Sequence, residues 1–282
     1  MAFALGRRGR GRGIGLSPRI IIAVVIALVS VVGYFGNRAL NPVTGRKQSL
    51  ALTADQEVAL GLQAAPEMAA QFGGLSRSAE GTRLVKDVGF EILQAVGDAA
   101  GTYRFDFHLL ADPKTVNAFA LPGGQIFITE ALLTRLETRG QLAGVLGHEA
   151  GHVLARHSSE QMAKAKLTQG LTGAAVVGAS DSRGGGYTAA AVASFVGQFA
   201  LLKYSREHEL ESDRLGVRFM VKAGYDPRAM IEVMRILEQA SGGPSNRPEF
   251  SQTHPNPGNR IKEIERAIAE EFPEGVPEGL QK

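Results

Sequence analysis

The sequence predicts an α+β fold that is mainly helical, with a small antiparallel sheet, preceded by one helix that crosses a membrane. Three observations carry this. Apolar residues recur at helical spacing through most of the chain, as in Leu84, Val85, Val88, Ile92 and Val96. Only the stretch 103–129 alternates at period two, around the turn signal Pro122-Gly123-Gly124. The run from Ile20 to Gly36 carries no charge.

Arg7, Arg8, Arg10, Arg12 and Arg19 precede that run, so residues 1–19 read as a basic cytoplasmic segment and 20–36 as a single-pass signal-anchor near the lower length limit for a span. A cleaved signal peptide is the rival reading. It calls for small residues and an A-x-A-like site after the run, where Tyr34, Phe35, Asn37 and Arg38 stand instead. A retained anchor places the rest of the chain outside the cytoplasmic membrane, in the periplasm of a double-membraned bacterium. Residues 37–50, with Asn41-Pro42-Val43-Thr44-Gly45, read as a linker, and 51–282 as one domain.

The 282 residues are 44% hydrophobic and 21% charged, enough for one sizeable core. The net charge of +3 owes much to the arginines before residue 20, which leaves no nucleic-acid footprint on the folded part. The absence of cysteine excludes disulfides, thiolate metal sites, a Cys nucleophile and a lipidated cysteine. Any metal must therefore be held by His and carboxylates.

Thr53-Ala54-Asp55-Gln56 looks like a capping box opening a helix to about Phe72, closed by Gly73-Gly74. Strands are expected at 103–110, 118–121 and 125–129, and helices at 141–157, 205–223 and 259–271. The Ala-, Gly- and Val-rich stretches 170–179 and 188–202 are too short and too weakly apolar for a confident span, and read as helices of a mobile lid. A Pro-, Ser- and Asn-rich loop after Ser241 holds His254. There is no internal repeat.

His148-Glu149-Ala150-Gly151-His152 is H-E-x-x-H in a helical stretch. Residues four apart share one helix face, so two imidazoles take adjacent corners of a Zn²⁺ site, with the Glu beside them as a general base. A catalytic zinc needs a third protein ligand and an open position. The pattern H-E-x-x-H-x-x-G-x-x-H is not met, because Ala155 and Ser158 stand where its Gly and last His belong; His157 is one place out of register and reads as a surface residue or one behind the ligands. The other source is a carboxylate in Glu207-His208-Glu209-Leu210-Glu211-Ser212-Asp213, which offers several candidates or merely a solvated face.

Glu209-Leu210-Glu211-Ser212-Asp213 resembles the E-x-x-x-D motif of the M48 peptidases, the Ste24/HtpX/Oma1-like group, and Tyr204-Ser205-Arg206 before it is similar too. His254-Pro255-Asn256-Pro257-Gly258-Asn259-Arg260 resembles that family's H-P-x-x-x-x-R, and Asn117-Ala118-Phe119-Ala120-Leu121-Pro122-Gly123-Gly124 its N-A-F-A-x-P-G-G segment. The likeness is greatest to the short, single-anchor Oma1-like or BepA-like catalytic unit, without a long helical-repeat extension or multiple spans.

The resemblance implies a zincin-like (gluzincin) domain and a zinc metalloendopeptidase acting on unfolded or misassembled envelope proteins in quality control, with one Zn²⁺ per subunit. It makes Glu209 the third ligand beside His148 and His152, and Asp213 the acceptor behind a ligating histidine. Glu211 and His208 become bystanders. It brings His254 to the metal, as an oxyanion donor or a latch, with Arg260 orienting its loop. Substrate would lie against an edge strand at Asn117, Ala118, Phe119 and Ala120.

Overall fold

The computed structural model describes residues 17–179, 204–240, 250, 254 and 258–282. Helix α1, Pro18–Gly36, opens on a Ser17 cap that accepts from Ile20 N–H, with proline in its first turn. Its mean hydropathy is 2.3 and none of it is buried in the chain. At 1.5 Å per residue it is about 28 Å long, close to a hydrocarbon core.

Strands β1 (Arg38–Leu40) and β2 (Lys47–Ser49) pair antiparallel, Arg38 opposite Ser49. The segment expected as a linker is thus an ordered ribbon, docked by its amides. Asn41 Oδ1 accepts from Val43 and Thr44 N–H at 2.8 and 3.1 Å, shaping the turn, while Asn41 Nδ2 donates to Leu154 O at 2.9 Å. Gln48 Nε2 donates to Ala155 O at 2.7 Å. Both carbonyls belong to the end of the H-E-x-x-H helix, where no intrahelical donor remains, so the ribbon caps that helix.

Helix α2 (Ala54–Gln71) starts with the Thr53/Gln56 capping box and ends before Gly73 and Gly74, both at positive φ. Helix α3 (Ala79–Val96) is capped by Ser78 and followed by a 3₁₀ turn, Gly97–Thr102. Strands β3 (Asp106–Leu110), β4 (Ala118–Ala120) and β5 (Gln125–Thr129) form a sheet of order β3-β5-β4. The sheet is mixed, where the sequence pattern predicts an antiparallel one: β4 is antiparallel to β5, but β3 is parallel to it. Each strand reverses the one before. The β4–β5 hairpin simply folds β5 into the centre, against β3, and period-two alternation marks strands without marking their neighbours.

Both sheet faces are covered. Phe107, Leu109, Ala118, Ala120, Ile126 and Ile128 join the main core, whereas Leu110, Phe119, Leu121 and Phe127 pack on Ala64 and Met68 of α2 and on Phe72 just after it. A Cβ at Gly61 would lie 1.9 Å from Pro122 O, and Gly123 adopts φ +82° against the Val58 backbone, so α2 lies directly on the hairpin turn.

Past the short α4 (Glu130–Leu133), helix α5 runs Arg139–Leu154 and is buried from Gly140 onward. The sequence reading carries this helix on to His157. The structure ends it at Leu154, turns at Arg156 with φ +57°, and starts α6 (His157–Ala179). That left-handed Arg156 costs about 1–2 kcal/mol and is held by Glu57 at 2.9 Å and Leu52 O at 2.8 Å. Of the stretches read as lid helices, 170–179 is the distal part of α6, packed beside α1, and 188–202 lies outside the described residues.

Helices α7 (Arg206–Lys222), α8 (Ala229–Ala240) and α9 (Arg260–Glu271) complete the described fold. Helices α5 and α7 meet at glycines. A Cβ on Gly147 would touch Gly216 Cα at 3.5 Å, one on Gly151 would reach Ser212 Cα at 3.2 Å, and one on Gly216 would reach His148 N at 3.2 Å. Their bareness brings the two helices close enough to share a site.

Candidate metal centre

Helix α5 sends His148 and His152 to one side, their Nε2 atoms 3.0 Å apart. From α7, Glu209 meets both: Oε2 lies 3.6 Å from His148 Nε2 and Oε1 lies 3.5 Å from His152 Nε2. His254 enters from the far segment, with Nδ1 at 3.2 Å from Glu209 Oε1 and 3.4 Å from His148 Nε2. The four ligand atoms lie within 4.8 Å of one another, and all four residues are buried. Of the candidates in 207–213, the fold selects Glu209 for this cluster.

Each α5 imidazole is held from behind. His148 Nδ1 lies 2.9 Å from Asp213 Oδ1, and Arg260 clamps the same carboxylate through Nε at 2.8 Å and a terminal nitrogen at 2.6 Å. Arg260 also reaches Glu209 Oε2 at 3.1 Å. His152 Nδ1 lies 2.9 Å from His157 Nδ1, and His157 Nε2 lies 2.9 Å from Glu211 Oε2. Glu211 is in turn paired at 2.5 Å with Arg46, the residue before β2. One histidine therefore leans directly on a carboxylate, the other through an interposed imidazole. Outer partners of this kind fix the tautomer and the ring, leaving Nε2 lone pairs aimed inward.

That inward convergence is a test of fit for a cation. Two Nε2 lone pairs and a carboxylate facing one point repel one another unless a positive charge lies between them. Donors about 2.0–2.1 Å from a tetrahedral zinc are roughly 3.3 Å apart, and the separations here run from 3.0 to 3.6 Å. Nitrogen and carboxylate donors without sulfur suit a catalytic metal.

Burial sets the charges. Desolvation and the neighbouring imidazoles press His152 well below its ordinary pKa, so it stays neutral, the form in which an imidazole can bind a metal. Burial works against ionised Glu209, but the charges of His254, Arg260 and His148 outweigh it and hold the carboxyl below its usual range. Glu149 is different. Fully buried, with both carboxylate oxygens unpartnered and Oε1 3.6 Å from His254 Nε2, it is pushed upward by desolvation. Burial likewise brings His157 down to about 4, despite Glu211.

Several of these residues do more than the sequence alone assigns them. Glu211, read as a bystander, supports His157; His208, read the same way, stacks on the His157 ring at 4.2 Å. Tyr204 stacks on His152 at 4.0 Å and bonds Ser158 Oγ at 3.0 Å. His157 sits one place out of a linear motif, and only the break at Arg156 turns it back: along a continuous helix it would point about 140° away from His152. Asn117, Ala118, Phe119 and Ala120 are buried in and beside β4, on the sheet edge away from β3. Phe250 N–H donates to Val116 O at 3.3 Å and its ring stacks on His254 at 4.4 Å, so one residue joins that edge to the cluster.

Two imidazoles from α5 and a carboxylate from α7, beside a buried glutamate without a hydrogen bond among the described residues, are the arrangement of a metallopeptidase of the gluzincin type. Residues 79–268 match the model of peptidase family M48, and the chain belongs to that family. It is similar to the mitochondrial metalloendopeptidase OMA1 of Schizosaccharomyces pombe, 30% identical over 247 residues that cover 84% of this chain and 68% of that protein. The beta-barrel assembly-enhancing protease of Yersinia pestis is 28% identical over 255 residues, 88% of this chain and 51% of that one. OMA1 of Bos taurus is 29% identical over 258 residues, 86% and 48%. The chain thus spans about half the length of the latter two.

Proposed function

We propose that the protein is a zinc endopeptidase of protein quality control, cutting unfolded or misassembled proteins on the outer side of the cytoplasmic membrane in which α1 is anchored. Glu149 carries the reading: a carboxylate kept buried, without a hydrogen bond among the described residues and destabilised as an anion beside the His148, His152 and Glu209 donors, is poised to take a proton. His148, His152 and Glu209 would hold the zinc, with Asp213 and His157 behind the two imidazoles. Bound there, zinc supplies Lewis-acid polarisation of a peptide carbonyl and makes water more acidic. Glu149 accepts the proton of the attacking water and delivers it to the leaving amine.

An extended substrate would pair with β4. Thr129 N–H donates to Asn117 O, and Leu121 N–H to Gln125 O. By the alternation of antiparallel bonding, the main-chain groups of Ala118 and Ala120 therefore point away from β5, toward the edge where a peptide would bond whatever its sequence once that edge is uncovered. This suits flexible, unfolded chains.

His254 acts as a latch in this reading. Its Nδ1 sits among the metal donors, and Phe250 takes the first outward acceptor of the substrate edge, Val116 O. The test compares casein cleavage by the zinc-loaded full chain, its Glu149→Gln form and its His254→Ala form. Glu149→Gln is expected to abolish turnover while retaining zinc, and His254→Ala to raise it. Equal cleavage by the parent and Glu149→Gln would overturn the role of Glu149, and a loss in His254→Ala would make that residue a transition-state donor.

A further inference from the structure

We infer that α6 is a second membrane-embedded helix, lying antiparallel against α1 with residues 167–179 inside the hydrocarbon. This rests on the membrane reading of α1. Gly170 packs against the middle of α1: a Cβ there would fall 2.0 Å from Ser30 Oγ and 4.0 Å from its Cα. Asn37 and Ala163 line one cavity between the same helices. Seven residues forward along α1 thus match seven back along α6, which makes the pair antiparallel, and nine further residues bring Ala179 level with Ile21. Ser30 stands six residues from the outer end of α1, about 9 Å deep. Whatever touches it is at that depth too.

The chemistry of α6 fits this position. Lys164 and Lys166 are its last charges, and none follows from Leu167 to Ala179. Lysines at the rim can reach the headgroups while their stems cover apolar surface. The contact uses small residues, as lipid-embedded helices do where no hydrophobic effect drives them together. Two of the hydroxyls are satisfied within their own helices: Ser30 Oγ donates to Ile26 O at 2.8 Å and Thr168 Oγ1 to Lys164 O at 3.0 Å. Leu171, 42% exposed, continues the uncovered apolar surface of Leu28, Val29 and Val32 on α1. A bilayer covers both helices in one stroke.

The consequence concerns the site. Helix α6 starts at His157, whose Nδ1 lies 2.9 Å from that of His152, so the helix that enters the membrane begins against a metal-ligand side chain. His157 to Lys166 is nine residues, about 13 Å of helix. This holds the cleft close above the membrane surface, within reach of the segments of substrate proteins that adjoin the bilayer.

The chain has no cysteine, so single cysteines report unambiguously. Leu171→Cys, Leu28→Cys and the exposed control Glu80→Cys, each in the full chain in its membranes, are treated with a charged maleimide given access to both sides, before and after denaturing detergent. The Leu171→Cys and Leu28→Cys forms are expected to label only after detergent, and Glu80→Cys before it; a fluorophore on the Leu171→Cys form should also be quenched by spin-labelled lipid. Labelling of Leu171→Cys at the rate of Glu80→Cys, with Leu28→Cys protected, or protection without lipid quenching, overturns the inference while leaving the anchor intact. Labelling of Leu28→Cys overturns the membrane reading of α1 and the inference with it, leaving the peptidase reading to its own test.

Discussion

Asp213→Asn separates what holds the fold from what holds the metal. Asp213 is 1% exposed and serves three donors: Arg260 twice, at 2.8 and 2.6 Å, and His148 Nδ1 at 2.9 Å. The amide keeps the shape but loses the charge, and one of its two ends becomes a donor facing donors. Among the described residues Arg260 keeps the ion pair with Glu209, at 3.1 Å. Removing one partner of a buried pair costs about 3–5 kcal/mol, and the remaining Glu209 puts this case at the lower end. Losing the acceptor that orients a ligating imidazole weakens metal binding about 10–100-fold, or roughly 1.4–2.7 kcal/mol.

The two effects are read apart, by urea unfolding of the metal-free protein and by zinc competition with a chelator. A variant that loses stability but keeps its zinc affinity would refute the claim that Asp213 orients His148. The acid limb adds a check. Burial opposes ionised Asp213, but Arg260 and His148 more than compensate and hold its carboxyl far below the usual range. Its stabilisation is therefore full above an unfolded pKa of about 3.9 and is lost only as pH falls through the lower folded value.

Three further outcomes are expected. Glu211→Gln, at the middle of the chain from Arg46 through His157 to His152, should lower zinc affinity on the order of 10-fold with the fold retained; unchanged chelator competition would reduce that chain to packing. Gly151→Val would drive α5 from α7, since even a Cβ there lies 3.2 Å from Ser212 Cα; a cost of about 1–3 kcal/mol with loss of bound zinc is anticipated, and a variant that melts and binds like the parent contradicts the glycine argument. Glu57 is raised by burial, against the pull of Arg156, from 4.5 to about 7. The folded state then binds the extra proton in that window, so stability should fall by roughly 3 kcal/mol as pH rises through it. Glu57→Gln should flatten that slope in urea titrations, and an unaltered slope assigns it to another group.

Much of this molecule is legible in one dimension because the signals are local. The apolar span of α1, the Thr53/Gln56 box, the Pro122-Gly123-Gly124 hairpin and the helical pair His148/His152 each depend on residues within a turn or two of one another. Spacing alone sets which helix face they share. The proposed third ligand was not legible in that way: 207–213 offers several acids, and resemblance to a family, not spacing, singled out Glu209.

Tertiary structure decided the remainder, for reasons that no local pattern encodes. Which strand lies beside β5 depends on where the chain crosses, so the sheet is mixed. A turn at Arg156, held by Glu57 and Leu52 O from other elements, swings His157 behind His152. The ribbon read as a linker caps α5 because that helix ends with unmet carbonyls. Sequence placed the donors on their helices; only the close approach of α5 and α7 at Gly147, Gly151 and Gly216 made them converge on one point, because convergence is a property of two packed surfaces and of neither alone.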